Sequence, residues 1–370
     1  MKLMLEGIKF STLIENNGWI QKSNSIYANL LKKLMCDEPS ELCYNRLCKK
    51  CPDSHEIKQF FEKLCADANL EQVIFKKWVS TDRCTMITVI SEIDEFIDNL
   101  IHQLKSLLIH DYTAKAQSTY YANLKQNLKK GEYIVTLDFA ENYAFIVQES
   151  VQAFHYNNDQ ATLLPMVIYY CENGKSKHCS FVGVSDCLKH DYVSVYMFQE
   201  QLIFFMKQKF GQVQKIYYFS DGAPQQFKNR NAFTNLCYHM EDFHITAESN
   251  FFATAHGKGP CHGLAGSIKR LIRKACLQME TNSQILTPLQ LYQWVSKNLS
   301  TITFVFIENE RYLDSKVKLD ARSSRSKTVK GTQMIHFIAP IPNNPSVVTT
   351  KFVSNSETYS IVQLYKPSAP

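Results

Sequence analysis

Two aspartates close apolar runs in this 370-residue chain: Asp138 in TLDFAENY and Asp221 in YYFSDGAPQQ. A carboxylate that follows four or more strand-forming apolar residues sits at the end of a strand, where loops converge. Two of them on adjacent strands can share a divalent cation, because hard cations select carboxylate oxygen. Two Mg²⁺ ions held in this way stabilise the attacking and leaving oxygens of a phosphodiester exchange. Taken singly, each aspartate reads equally as a turn cap, and Asp221-Gly222 is a strong turn signal.

A second group is sulfur. In LMCDEPSELCYNRLCKKCP, Cys43, Cys48 and Cys51 follow C-x4-C-x2-C spacing, with Cys36 seven residues upstream and His55 four downstream. Zinc takes four soft ligands in a tetrahedron, and C-x2-C supplies two from one turn, so Cys36, Cys43, Cys48 and Cys51 are the expected structural Zn²⁺ set. Unrelated thiols on a loop are the alternative. Cys237, His239, His256, Cys261 and His262 offer a weaker Cys₂His₂ possibility. The start, MKLMLEGIKF, is too charged for a signal peptide, and no run approaches the ~18 apolar residues of a membrane helix. An intracellular protein with no membrane partner is expected, its twelve cysteines reduced or metal-bound.

These groups need elements to hold them. Residues 1–105 space their apolar residues three and four apart, as in SEIDEFIDNLIHQLKSLL, and predict helices. From residue 131 the pattern turns to strands: runs at 133–139 and 143–149, then a hairpin about Asn173-Gly174. A helix (VSVYMFQEQLIFFMKQKF), a buried strand (QKIYYFSDG), a helix, a strand (ITAESNFFATA) and a last helix (LAGSIKRLIRKACLQ) follow. Hairpins followed by alternating units predict an α/β fold, a mixed sheet flanked by helices. Residues 1–110 form the helical cysteine-rich part, 111–305 the core, and 306–370 a basic segment and extended tail. Within that last part, residues 311–331 carry seven Lys/Arg against two Asp and read as mobile or ligand-ordered.

This order, with aspartates on the first and fourth core strands, resembles the RNase H-like fold. The strings LDFAENY, FHYNNDQAT, YYFSDGAPQQFKNR and FFATAHGKGPCHG are together similar to transposase-derived proteins of eukaryotic DNA transposons, allied to the Sola group. The resemblance spans residues 30–340. It implies that Asp138 and Asp221 are the first two acids of a DDE/D site for Mg²⁺ or Mn²⁺, with the third in the glycine-rich hinge. Relatives read GKG-x-C-D-G there; this chain reads GKGPCHG, with His262 in the aspartate's place. Either His262 is itself a ligand, or Glu248 supplies the third acid, or the site is inactive. The resemblance further implies a DNA partner, a nuclear location and homo-oligomeric assembly. Relatives also carry a cysteine- and histidine-bearing stretch before the string KLML, so the chain is expected to be short at its N-terminus.

Lys258, Lys269, Arg270, Arg273 and Lys274 would set positive charge against a phosphate backbone, or form the solvent face of the last helix. No G-x-S-x-G elbow and no G-x4-G-K-[ST] loop occurs, which removes α/β-hydrolase and P-loop chemistry. Two readings remain: a metal-dependent DNA-nicking and strand-transfer enzyme, and a DNA- or protein-binding descendant that no longer cuts.

Overall fold

A computed structural model describes residues 26–145, 159–257, 259–280 and 284–365. The chain divides into two compact units, Met1–Thr113 and Ala114–Pro370. In the first, helices Ile26–Lys32, Glu41–Tyr44, His55–Asp67 and the start of Ile93–Gln126 enclose a core that includes Leu30, Leu34, Phe61, Leu64, Phe96, Leu100 and Leu104. The three-and-four spacing of those residues turns one stripe of each helix inward.

Helix throughout residues 1–105 is not what forms. Strands β1 (Gln72–Ser80) and β2 (Cys84–Glu92) pair as an antiparallel hairpin, Gln72 facing Glu92 and Ser80 facing Cys84. QVIFKKWVS and CTMITVISE are rich in β-branched and aromatic residues, which favour a pleated surface. Val73 and Phe75 alternate into the core while Ile74 and Trp78 face outward.

The second unit is built on a large mixed sheet. Its strands are β3 (Glu132–Leu137), β4 (Tyr143–Ala144), β5 (Gln160–Glu172), β6 (Lys175–Ser185), β7 (Lys215–Ser220), β8 (Thr246–Phe251), β9 (Ile302–Ile307), β10 (Phe337–Ile341), β11 (Asn344–Lys351) and β12 (Ser360–Gln363). Among the described residues the order is β12-β11-β10-β8-β7-β3-β5-β6-β9, with β4 beside β5. β3, β5 and β6 form an antiparallel meander, while β3, β7 and β8 run parallel. The predicted strand at 143–149 is seen as Tyr143–Ala144; its continuation from 146 lies outside the described residues.

Alternation in each strand feeds two cores. Val135, Leu137, Met166 and Tyr218 pack with helices Tyr192–Phe210, Arg230–Cys237 and Asn309–Ser323. On the other face Leu163, Val182 and Val184 meet Ile268 and Ile272 of helix Pro260–Gln278 and Leu291 and Val295 of helix Pro288–Asn298. Ile134, Tyr217 and Phe219 meet Tyr120, Tyr121 and Leu124 there too. The sheet is therefore flanked by helices on both faces.

The chain after 305 is not a separate tail. Strands β10 to β12 extend the sheet beyond β8. Most of the basic stretch is helix Asn309–Ser323, and beyond it Ser326 and Val329 are buried between exposed Arg325, Lys327 and Lys330. An apolar residue or serine at each inward step pins what composition alone reads as mobile. No helix of the described residues is long and apolar enough to cross a membrane.

Candidate functional site

Strands β3 and β7 pair in parallel register, Thr136 opposite Phe219. Asp138 and Asp221 each follow those residues by two, so the two carboxylates leave the sheet side by side. Burial first, and then the charge of Asp221, lift the Asp138 carboxyl to about 7 against a hydrogen bond from the Phe139 amide. One Asp221 oxygen, Oδ1, accepts the amide of Ala223 at 2.9 Å, and Gly222 takes φ +74° to make the turn. Asp221 therefore caps the turn that follows β7.

The loop after β7 adds a cation that the sequence reading passed over. Lys228 Nζ donates to the Gln333 carbonyl at 3.1 Å and lies 5.2 Å from the centre of the Phe251 ring. Burial pulls its ammonium down to about 8, against the opposing pull of Asp221.

The glycine-rich hinge closes over the pair. A β-carbon on Gly257 would lie 2.6 Å from the Asp221 β-carbon and 3.1 Å from its α-carbon, so the hinge backbone rests directly on Asp221. Ala255 is held at φ +64°, a left-handed conformation that costs a non-glycine residue ~1 kcal/mol or more. Cys261, one residue into helix Pro260–Gln278, donates its thiol to the Thr136 carbonyl at 3.0 Å. Burial and the nearby Asp138 charge push that thiol up to about 12. The helix therefore begins over the end of β3, beside Asp138.

His262 does not come with it. Cys261 turns inward, the next helical position lies ~100° around the axis, and His262 is exposed. Among the described residues the group of three or more His, Cys, Asp or Glu whose ligand atoms all lie within 4.8 Å is the cysteine set, so Asp138, Asp221 and His262 do not form such a triad. Glu248 is also elsewhere. It faces Tyr217 across β7–β8, four residues before Asp221, or ~13 Å back along the strand at ~3.3 Å per residue. There it pairs with Lys215 Nζ at 2.9 Å and accepts from Tyr120 Oη and Asn250 Nδ2, each at 3.3 Å.

The expected DNA-facing residues divide. Arg270, Arg273 and Lys274 are exposed on the helix. Lys269 is half-buried and donates to the Glu141 carbonyl, so it braces the loop after Asp138. Lys258 lies outside the described residues. The same loop is held by a network that spacing did not reveal. His190 stacks on Phe139 with ring centres 4.3 Å apart, and its Nε2 lies 2.7 Å from Asn142 Oδ1, which also accepts from Thr162.

The alternative Cys₂His₂ set is not assembled. His239 is buried with Nδ1 on the Ile245 carbonyl at 2.8 Å and Nε2 on Tyr218 Oη at 3.0 Å, and Cys261 is engaged by Thr136. In the first unit the four cysteines do converge. Cys36 Sγ lies 3.9 Å from Cys48 Sγ and 3.8 Å from Cys51 Sγ, and the four sulfurs including Cys43 lie within 4.8 Å of one another. Tetrahedral Zn–S bonds of ~2.3 Å set sulfurs ~3.8 Å apart, so the set could hold zinc, and it is too open for disulfides. Burial raises the Cys43 thiol, but bonds from Ser40 and the neighbouring thiols outweigh it and bring it to about 6. His55 stays outside, its ring on Gln59 at 2.9 Å.

Residues 117–354 match the family described as Domain of unknown function (DUF8701). The chain belongs to that family. The DUF8701 match opens and closes on two residues that bond each other: Ser354 N donates to Gln117 Oε1 at 2.8 Å. Residues 1–108 match a second family, Domain of unknown function (DUF8700). No curated protein matches the chain. Among solved structures, "Crystal structure of NurA bound to dAMP and manganese" is 11% identical over 67% of this chain and 50% of that chain, with a TM-score of 0.17. "Crystal structure of NurA with manganese" is 11% identical over 69% and 50%, with a TM-score of 0.15. The chain spans half the length of the NurA chains it matches, and at these scores neither fold nor site follows from the likeness.

Proposed function

We propose that the chain is a transposase-derived protein whose second unit has an RNase H-like core and acts on the phosphodiester backbone of DNA. The observation that carries this reading is the convergence of Asp138 and Asp221 at the ends of paired parallel strands, beneath a hinge that rests on Asp221. The segment β6-β5-β3-β7-β8, a meander followed by two parallel strands, is the order such a core calls for.

Asp138 and the face of Asp221 away from Ala223 would hold Mg²⁺ or Mn²⁺. Both are hard oxygen donors, and their mutual repulsion is relieved by a cation between them. When bound, such an ion polarises a phosphoryl oxygen and makes bound water a better nucleophile. Arg270, Arg273 and Lys274 present positive charge for backbone phosphates, which orients DNA without reading its sequence. Zinc on the four cysteines would staple the first unit. A nuclear site of action and assembly from several copies belong to the same reading.

Nicking of supercoiled plasmid in Mn²⁺ tests it. Wild type nicks, Asp138→Asn does not, and Glu248→Gln nicks at the wild-type rate wherever it folds. Loss in Glu248→Gln alone would move the chemistry away from the β3–β7 edge. A second reading, a DNA-binding protein that no longer cuts, is favoured by one observation: among the described residues no third His, Cys, Asp or Glu joins Asp138 and Asp221 in a group with ligand atoms within 4.8 Å of one another. It gives DNA binding that falls steeply with salt, through counterion release, and no nicking in any cation.

A further inference from the structure

We infer that the carboxylate edge takes one divalent cation and that Lys228 stands where a second cation would, its ammonium holding a non-bridging oxygen of a phosphodiester. This rests on the reading proposed above and adds to it the number of metals and the group that meets the substrate.

Charge comes first. A pair of divalent ions brings four positive charges, and among the described residues the edge offers two carboxylates, Asp138 and Asp221. Glu248 is spent on Lys215, and His262 faces solvent. One ion with Asp138, Asp221 and Lys228 leaves a single positive charge, which one phosphodiester neutralises. Unpaired charge in a partly buried site is expensive, so this count is the one the site can hold.

Geometry comes second. Lys228 is held at two points, its Cδ and its ammonium. Its Cδ lies 3.4 Å from where a Gly222 β-carbon would be, so its stem crosses the turn directly after Asp221. The Phe251 ring flanks the ammonium, and the Gln333 carbonyl takes one of its three protons at 3.1 Å. Gln333 lies in the short 3₁₀ turn Thr332–Met334, which leads into β10 (Phe337–Ile341). A lysine tethered by one carbonyl, with two protons left and its stem packed on the turn after Asp221, is arranged to meet an oxyanion. A lysine serving only to neutralise Asp221 would need no such tether.

Calorimetric titration of the zinc-loaded full chain separates the outcomes. Wild type binds one Mn²⁺ per chain beyond the zinc, and Asp138→Asn abolishes it. Lys228→Gln then binds Mn²⁺ about 10-fold more tightly, because a repelling charge beside Asp221 is gone. The same variant binds thymidine 3′,5′-bisphosphate, titrated in Ca²⁺, about 10-fold more weakly, because the phosphate loses its cation. Lys228→Arg restores bisphosphate binding. A merely structural lysine would weaken both ligands together. If Lys228→Gln does not fold, the wild-type stoichiometry and Lys228→Arg still decide. Two Mn²⁺ per chain, or loss of bisphosphate binding in Lys228→Arg, overturns the inference and leaves the proposed function standing. Mn²⁺ binding that is absent, or indifferent to Asp138→Asn, removes the proposed function itself.

Discussion

Gly257 rests on Asp221: a β-carbon added to the glycine would come within 2.6 Å of the aspartate's own β-carbon. The clash is with atoms at the root of a side chain, which cannot swing away, so the hinge or the strand end must move. Gly257→Ala should therefore cost about 1–3 kcal/mol, as overpacking does, and lower Mn²⁺ affinity with it. Gly263 sits in helix Pro260–Gln278 with nothing within 4 Å of its notional β-carbon. There the same substitution should stabilise by about 0.5–1 kcal/mol through helix propensity. Denaturant midpoints of the two variants, moving in opposite directions, check both halves.

The four-thiol set predicts one zinc per chain. Cys43→Ser, Cys48→Ser or Cys36→Ser should each bring zinc content in metal analysis close to zero. Cys65→Ala should leave it at one, since Cys65 is buried in the core of the first unit and lies outside the set. Chelation should lower the unfolding temperature of wild type and leave that of Cys43→Ser unchanged, because zinc affinity is folding free energy where the site requires the fold.

Helix Asn309–Ser323 is latched by Arg322, whose Nη1 donates to Asp242 Oδ2 at 2.6 Å while Nη2 meets Oδ1. Asp242 also accepts from Tyr196 Oη at 2.9 Å, and the Arg322 guanidinium lies 4.3 Å from the Tyr238 ring centre. Arg322→Ala would leave the Asp242 carboxylate with Tyr196 and, at 3.7 Å, Lys318, so it should cost less than the ~3–5 kcal/mol of a fully stranded buried charge. Arg322→Lys should recover only part of that, because a lysine cannot make the paired contact. Chemical denaturation of the three proteins measures the series.

What could be read in advance follows from how local each signal is. Asp138 and Asp221 were legible because an apolar run dictates a strand and the carboxylate merely follows it. Cys43, Cys48 and Cys51 were legible because the spacing itself is the ligand geometry. Lys228 was not, since its place depends on a carbonyl 105 residues away at Gln333 and on the Gly222 turn. The exposure of His262 was hidden for a related reason. Its string matches a ligand position, but Cys261 claims the inward direction through Thr136. The β1–β2 hairpin escaped because apolar residues lie on both of its faces, Val73 and Phe75 inward and Ile74 and Trp78 outward, which blurs a period of two. Helix Asn309–Ser323 escaped because its charged face dominates its composition, while Tyr312, Ser315, Leu319 and Ser323 alone turn inward.

His239 gives the second unit a pH dependence. Its Nδ1 faces the Ile245 carbonyl, which can only accept, so the proton sits there and Nε2 accepts from Tyr218 Oη. Burial, above all, holds the ring neutral and brings its pKa down to about 4, with Lys207 acting the same way and the Ile245 bond and Asp242 acting against them. In the unfolded chain the ring titrates near 6.5. Between about 4 and 6.5 the unfolded state therefore binds more protons, so the contribution of this group is full above 6.5 and declines as pH falls. The loss reaches about 2 kcal/mol by pH 5. Denaturation at pH 7.5 and 5.0 should show wild type losing that much more than His239→Gln, whose side chain cannot titrate. Equal losses in the two proteins would mean that the ring is already charged, or reaches solvent, in the folded state.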